Sequence, residues 1–392
     1  MRVLFVSDVY FPRVNGVSTS IRTFREDLDA CGVETMLVAP DYGTSSTEPD
    51  ASIVRVASSR VPGDPEDRRM RWGALKRTLE DLSRQDFDLI HVQTPFIAHY
   101  AGVRAARRMQ IPCVATYHTF FEEYLHHYVP VLPRSIGGLL ARAFTRSQCR
   151  DVNALIAPSA PMRDVLMCYD VQTPIHILPT GIPADRFRQG DGARFRRDFN
   201  IPADRQLVTY IGRVAHEKNI EFLVEMFAEV RKSNPRAMLL IAGEGPARNS
   251  LQQLVSRLGL TNDVCFVGYL DRNIGLLDCY AAADVFVFAS RTETQGLVLL
   301  EAMAQGAPVV STAELGTKSI LRPGCGALVV SERIDDFATA VSRVLADPSV
   351  RLDLAERGRA YAQSWSSATM ARRLADLYAA VIARQDLARV AA

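Results

Sequence analysis

Nothing in this chain is long and apolar enough to cross a bilayer: no stretch reaches the roughly 18 residues that a spanning helix needs. The apolar start, MRVLFVSDVY, is also far too short for a secretory signal. A C-x-x-C pair is missing. The seven cysteines, at 31, 113, 149, 168, 265, 279 and 325, are scattered and odd in number, which argues against a disulfide frame or a zinc site and for a reducing compartment. Charge of one sign is not in excess either. With 46 basic and 44 acidic residues the formal charge is +2, which excludes the broad basic footprint of a nucleic-acid binder. No G-x-G-x-x-G follows the first strand-like run, so the fingerprint of a nicotinamide oxidoreductase is absent. Solenoid periods and low-complexity tracts are absent too. These gaps predict a cytoplasmic chain, dissolved or peripheral at the inner face of a membrane.

What is present is length and alternation. A chain of 392 residues exceeds what one core holds, and two domains would leave a cleft between them. Short apolar runs alternate with amphipathic stretches. RVLFVS, DLIHVQ, PCVATY, ALIAPS and IHILPTG lie in the first half; LVTYIG, AMLLIAG, VCFVGY, VFVFAS, APVVST and GALVV lie in the second. Fully apolar strands spaced by helices indicate parallel sheets covered on both faces, hence an α/β fold of two Rossmann-like halves. The Gly-, Pro- and charge-rich segment 178–199 reads as a linker. The expected domains are therefore 1–187 and 188–364, with a C-terminal helix over 365–392 that packs back on the first domain.

The segment TETQGLVLLEAM, 292–303, carries one glutamate in a polar loop and another, Glu301, among residues suited to burial. A buried carboxylate without a partner costs several kcal/mol or takes up a proton. Either a ligand meets Glu301, or it pairs with a neighbouring amide or arginine. VFVFAS, RTETQG and LVLLEAMAQG read as strand, loop and helix, with Gly296 at the helix start. A helix N-terminus at the carboxyl end of a parallel strand offers N–H groups to an anion, so amides near Gly296 and Leu297 fit a diphosphate. Arg213 and Lys218 in GRVAHEKN supply the cations such a group needs. Glu293 and Glu301, too negative to face phosphate, suit the hydroxyls of a sugar and a ribose. IAGEGP adds Gly243 after another strand. In the first half, Asn15 and Gly16 of PRVNGV allow close backbone approach. His118 stands at the end of the strand PCVATY. His126, His127, Glu122 and Glu123 follow it, but their spacing matches no standard metal set.

These residues, in this order, resemble the retaining glycosyltransferases of the GT-B fold, a family that includes bacterial glycolipid synthases and mannosyltransferases. The resemblance covers nearly the whole chain. It implies that Glu301 binds the donor's ribose, Glu293 the transferred sugar, and Arg213 with Lys218 the diphosphate. Thr294, Gln295, Gly296 and Leu297 would hold sugar and phosphate, and backbone around Val267 and Tyr269 would read the base. His118 would lie near the sugar and acceptor. Many relatives carry E-G-F-G where this chain has Glu293, Thr294, Gln295 and Gly296, so Gln295 would alter the hydrogen bonds to the sugar. TYHTFFEEYLHHY with TETQGLV is most similar to the diacylglycerol glucosyltransferase branch. That implies a nucleoside diphosphate hexose as donor, UDP-glucose first, and a lipid hydroxyl as acceptor, with Tyr117, Glu122 and Tyr124 on the acceptor side.

The residues from 102 to 150 hold seven arginines and two glutamates, and Arg142, Arg146 and Arg150 are each four apart beside a helical apolar pattern. Such a helix either lies on an anionic membrane or is an ordinary surface helix packing its apolar face inward. No D-x-D motif follows a strand, so metal-independent transfer without a cofactor is expected. A mannosyltransferase using GDP-mannose, a transferase with a soluble or polysaccharide acceptor, a nucleotide-sugar epimerase and a non-catalytic sensor share these features.

Overall fold

The structure is a computed structural model that describes residues 1–43, 50–61, 64–118, 134–272 and 274–390. It divides into two compact units, 1–181 with 367–392, and 182–366.

The first unit is built on strands β1 (Arg2–Val6), β2 (Glu34–Pro40), β3 (Ile53–Val56), β6 (Leu89–Val92), β7 (Cys113–Thr116), β8 (Ala154–Ala157) and β9 (Ile175–Ile177). They form one parallel sheet in the order β3-β2-β1-β6-β7-β8-β9. β4 (Ser58–Val61) and β5 (Asp64–Met70) pair antiparallel beside it. The central strands are buried on both faces, as their unbroken apolar runs require. β2, β3 and the hairpin escape the sequence reading: β3 is a four-residue edge strand interrupted by Arg55, and β2 ends at Pro40. Crossovers are made by α1 (Gly16–Leu28), α2 (Trp72–Leu82), α3 (Ile97–Met109), α4 (Arg134–Arg150) and α5 (Ala160–Cys168). The C-terminal helix Ser367–Val390 belongs to this unit, burying Met370, Ala371, Leu374 and Tyr378 with Phe5, Ile21 and Leu37. His91 on β6 ties that helix to the sheet, with Nδ1 2.6 Å from Tyr378 Oη and Nε2 2.7 Å from Thr116 Oγ1. Burial pushes this imidazole down to about 3, so it is neutral.

The second unit repeats the plan. Strands β10 (Gln206–Ile211), β11 (Ala237–Ala242), β12 (Val264–Gly268), β13 (Val285–Phe288), β14 (Val309–Ser311) and β15 (Ala327–Val329) form a parallel sheet in the order β12-β11-β10-β13-β14-β15. Helices α6 (Gly192–Asp198), α7 (Ile220–Ser233), α8 (Arg248–Arg257), α9 (Gly275–Ala282) and α10 (Leu297–Ala304) cover it, with α11 (Ile334–Ala346) and α12 (Pro348–Gln363).

The joints fall at 181/182 and 366/367, where the sequence suggested 187 and 364. Ile182 is buried in the second core and its N–H bonds the carbonyl of Trp365, which packs on the same core. The expected linker is also more ordered than its composition suggests. Asp191 caps α6 by accepting from Arg194 N at 2.9 Å, and Phe195 enters the core. Asp278 on α9 accepts from Asp191 N and from Arg194 Nε, both at 2.7 Å. Gly190 and Gly192 are there for contact: a Cβ on either would stand 2.3 Å or 2.6 Å from carbonyl oxygens of α9. Glycines that signal a linker by composition here let two segments touch.

Candidate functional site

In the second unit the turns after β10, β11, β12 and β13 meet at the carboxyl edge of the sheet, where parallel sheets bind ligands. The turn after β13 leads through Glu293, Thr294 and Gln295 to Gly296, which adopts φ +96° and opens α10. Left-handed backbone suits glycine, and a side chain there would press on Thr317 Cγ2 at 3.1 Å and Leu299 Cδ1 at 3.3 Å. The segment Leu315–Ser319 locks this loop. Gly316 N donates to Glu293 O at 2.8 Å, and a Cβ on Gly316 would stand 2.0 Å from Thr294 O. Gln295 is buried. The sequence reading missed Gly316 and Thr317, since nothing local in ELGTKS announces what they press against.

α10 carries no side-chain cap and no acidic residue in its first turn. The first unit offers a contrast. α3 also lacks a cap of its own at Phe96, but Asp8 from the end of β1 accepts from Ala98 N at 3.1 Å and from Thr94 Oγ1 at 2.8 Å. Burial nevertheless raises Asp8 to about 6. A carboxylate of the chain thus takes the anion position at α3, whereas α10 leaves its dipole to whatever anion arrives.

Lys218, in the turn after β10, places Nζ 2.5 Å from Glu293 Oε1, with both side chains about one-fifth exposed. Arg213 in the same turn has Nη1 3.6 Å from Glu217 Oε1. Cations and the loop glutamate expected to share a ligand are therefore neighbours across two turns. Gly243 follows β11 with φ +130°, and a Cβ there would overlap Gly212 O at 1.9 Å. Its lack of a side chain is already explained by packing of one turn on the next. Val267 is half-buried in β12 and Tyr269 is 51 % exposed just beyond it.

Glu301 is 6 % exposed and is met from within the chain. Arg272 Nη2 donates to Oε1 at 3.0 Å, and Tyr280 Oη donates to Oε2 at 3.1 Å. The pairing with an arginine that the sequence left open is realised. A carboxylate accepts about four hydrogen bonds, so two partners do not exhaust it. Burial, with the charge of Glu301 adding to it, holds the Tyr280 phenol protonated.

In the first unit, Asn15 caps α1 by accepting from Ser18 N at 2.8 Å. Gly16 follows it without positive φ, and a Cβ there would meet nothing within 4 Å. Neither conformation nor packing asks for glycine at this position. His118 stands at the end of β7 with Nε2 3.1 Å from Gln93 Oε1, and burial pushes its imidazole down to about 4. It is neutral at ordinary pH, with hydrogen-bonding rather than ionic character.

The expected acceptor residues fare differently. Tyr117 turns inward, 7 % exposed, with its hydroxyl 3.1 Å from Thr145 Oγ1. Glu122 and Tyr124 lie outside the described residues, as do His126 and His127. Arg142 stacks over Tyr169 at 5.4 Å and Arg146 lies 3.7 Å from Asp170, while Arg150 is exposed. Arg142 and Arg146 are thus turned to partners in their own unit. Among the described residues no group of three His, Cys, Asp or Glu is arranged to hold a metal, and no helix is long and apolar enough to cross a membrane.

Two parallel units of this kind, the second with an uncapped helix N-terminus at the carboxyl edge of its sheet, fit the two Rossmann-like halves of the GT-B fold. Known proteins agree. Residues 14–186 match the model described as Glycosyltransferase Family 4, and 191–361 match Glycosyl transferases group 1. The chain is 33 % identical to the Alpha-monoglucosyldiacylglycerol synthase of Streptococcus pneumoniae, over 79 % of this chain and 71 % of that protein. It is 27 % identical to the GDP-mannose-dependent alpha-mannosyltransferase of Mycolicibacterium smegmatis, over 99 % of both. The solved sucrose-phosphate synthase of Thermosynechococcus elongatus superposes with a TM-score of 0.80 at 23 % identity, covering 98 % of this chain and 99 % of its own. The chain is a glycosyltransferase of the GT-B fold and belongs to the group 1 family.

Proposed function

We propose that the enzyme transfers a hexose, glucose from UDP-glucose in the first place, to a lipid hydroxyl such as that of diacylglycerol, with retention of the α configuration. The observation that carries this reading is the pair of clusters at the carboxyl edge of the second sheet: Lys218 against Glu293, and Arg272 with Tyr280 around Glu301. The glucose and lipid parts lean on the synthase of Streptococcus pneumoniae. GDP-mannose is the second donor to test, because the mycobacterial mannosyltransferase matches over 99 % of both chains.

In this reading the N-terminus of α10 and the loop Thr294 to Leu297 receive the diphosphate and sugar. Arg213 and Lys218 neutralise charge on the leaving group as the glycosidic bond breaks. Glu301 uses its remaining lone pairs on the ribose, backbone around Val267 and Tyr269 meets the base, and Glu293 orients the sugar. Gly243 shapes the adjoining turn. A glutamate that binds the hydroxyls of the sugar is in the wrong role to attack its anomeric carbon, so Glu293 is a poor covalent nucleophile. The leaving phosphate is then the base that accepts the acceptor hydroxyl's proton on the face it vacates. His118, neutral, hydrogen-bonds on the acceptor side. The enzyme works in the cytoplasm, peripheral to the membrane that holds its acceptor.

Mass spectrometry of products from a panel of donors against lipid extracts tests this reading. A hexosylated lipid is expected, and its yield should survive EDTA, since side-chain cations do the work of a metal. Activity abolished by chelation and restored by magnesium or manganese would overturn the electrostatic account. The open space beside Gly16 gives a second test. Gly16→Ala has no clash to relieve and adds helix propensity, so the melting temperature should hold or rise. If Asn15 and Gly16 bind the donor, as the family resemblance implies, the donor KM should nevertheless increase. An unchanged KM would remove Asn15 and Gly16 from the donor site.

A further inference from the structure

Asn219 directly follows Lys218 and stands at φ +57° and ψ 36°, at the start of α7. An asparagine at a helix start commonly turns its side-chain oxygen to the helix amides, and glycine would adopt this backbone at less cost. Here the side chain makes no cap. Its amide instead donates twice: Nδ2 lies 3.2 Å from the carbonyl of Ala289, the residue directly after β13, and 3.1 Å from Glu332 Oε1. Glu332 follows β15, two strands beyond β13 in the sheet. The same carboxylate accepts from Arg291, with Nε 3.0 Å from Oε2 and Nη2 bonded to Oε1. The bond from Arg291 holds the Glu332 carboxyl below its usual range, so it stays charged. Turns from three strands therefore converge on one carboxylate. Asn219 adjoins Lys218, and Arg291 lies two residues before Glu293, so this clamp brackets the pair whose Nζ and Oε1 are 2.5 Å apart.

We propose that Asn219 and Glu332 are positioning residues for transfer: they fix the turn that carries Lys218 against the loop that carries Glu293, so that the ammonium is in place before the diphosphate arrives. The proposal rests on the reading of Lys218 given above. Backbone conformation alone does not ask for asparagine at 219, since glycine reaches it too. What asparagine adds is the pair of donors that joins the turn after β13 to Glu332. A lysine carries its charge on a flexible four-carbon stem, so placing the ammonium needs a fixed backbone beneath it as well as a partner. An exposed Arg291–Glu332 pair alone would contribute little, but Asn219 joins the same carboxylate and Ala289 into one network.

The test compares Asn219→Gly, which leaves the backbone free to adopt φ +57° and removes both donors, with Glu332→Ala at the far end of the clamp, each in the full chain. Both should lower kcat, approaching the roughly 100-fold that a misplacement of about 1 Å costs, with donor affinity changed much less. In a Lys218→Ala background Asn219→Gly should cost little further, because it acts through that side chain. A merely structural role would lower donor affinity and kcat together and add in full to Lys218→Ala. Labelling reads the clamp without activity. The lysines of the chain are Lys76, Lys218, Lys232 and Lys318, so trace acetylation of the ligand-free enzyme followed by peptide mass spectrometry compares them site by site. With Lys76 of the first unit as the reference, Lys218 should be acetylated several times faster in both variants. Unchanged labelling of Lys218, or normal kcat in both variants while Lys218→Ala is slow, would overturn the clamp and leave the reading of Lys218 standing. Normal kcat in Lys218→Ala would overturn that reading and this role with it.

Discussion

Lys218→Ala is expected to lower kcat by about 100- to 1,000-fold while changing donor affinity much less. The reasoning is electrostatic. Charge on the departing diphosphate grows as the bond to the sugar breaks, and only interactions that strengthen in the transition state speed the step; removing one such donor typically costs that factor. In the absence of ligand Lys218 is held against Glu293, so the ammonium is pre-positioned and partly shielded from water. A diphosphate would compete for it, releasing Glu293 to the hydroxyls of the sugar. Two controls separate this from a general disturbance. Glu293→Gln should also slow turnover, through sugar placement, without trapping a glycosylated peptide. The double variant should lose far less than the sum of the two, because the residues are in contact. Steady-state kinetics with nucleotide binding by calorimetry read both quantities. A Lys218→Ala enzyme with near-normal kcat removes this residue from the mechanism.

Glu301→Ala is expected to destabilise the second unit by about 3–5 kcal/mol even with no ligand present, because it strips the partner from a buried guanidinium. Arg272 is 16 % exposed in its side chain, and the Tyr280 hydroxyl also loses its acceptor. For a unit spanning 182–366 that corresponds to a fall in melting temperature on the order of 10 °C. Glu301→Gln keeps an acceptor for Tyr280 and should fall between wild type and Ala. Were Glu301 present only to bind ribose, thermal unfolding of the ligand-free enzyme would be unchanged and only the donor KM would rise. Differential scanning of the three proteins decides between a glutamate that builds the site and one that merely serves it.

How much of this was legible in the sequence depends on whether the signal was local. The strands of the two central sheets announce themselves because burial on both faces demands unbroken apolar runs. The turn from β13 into α10 was readable for the same reason, with Gly296 marking the one left-handed residue. What was hidden is contact between turns. Arg272 and Tyr280 reach Glu301 from a turn and helix that follow a different strand, and no spacing rule links them. Gly316 against Thr294, and Asp8 capping α3 across the sheet, belong to the same class. Gly190 and Gly192 misled in the opposite sense: residues chosen for close packing on α9 looked like those of a flexible joint. Tyr117, conspicuous in an aromatic run, is a core residue because it directly follows β7 and its ring turns toward α4.

The central claim is that the transferred sugar keeps the α configuration it has in the donor. Proton NMR of the first-formed product, from an α-linked nucleoside diphosphate hexose and a lipid acceptor, measures it directly. The account predicts the anomeric proton coupling of an α-linked glycolipid from the earliest time points; the coupling of a β-linked product would contradict it.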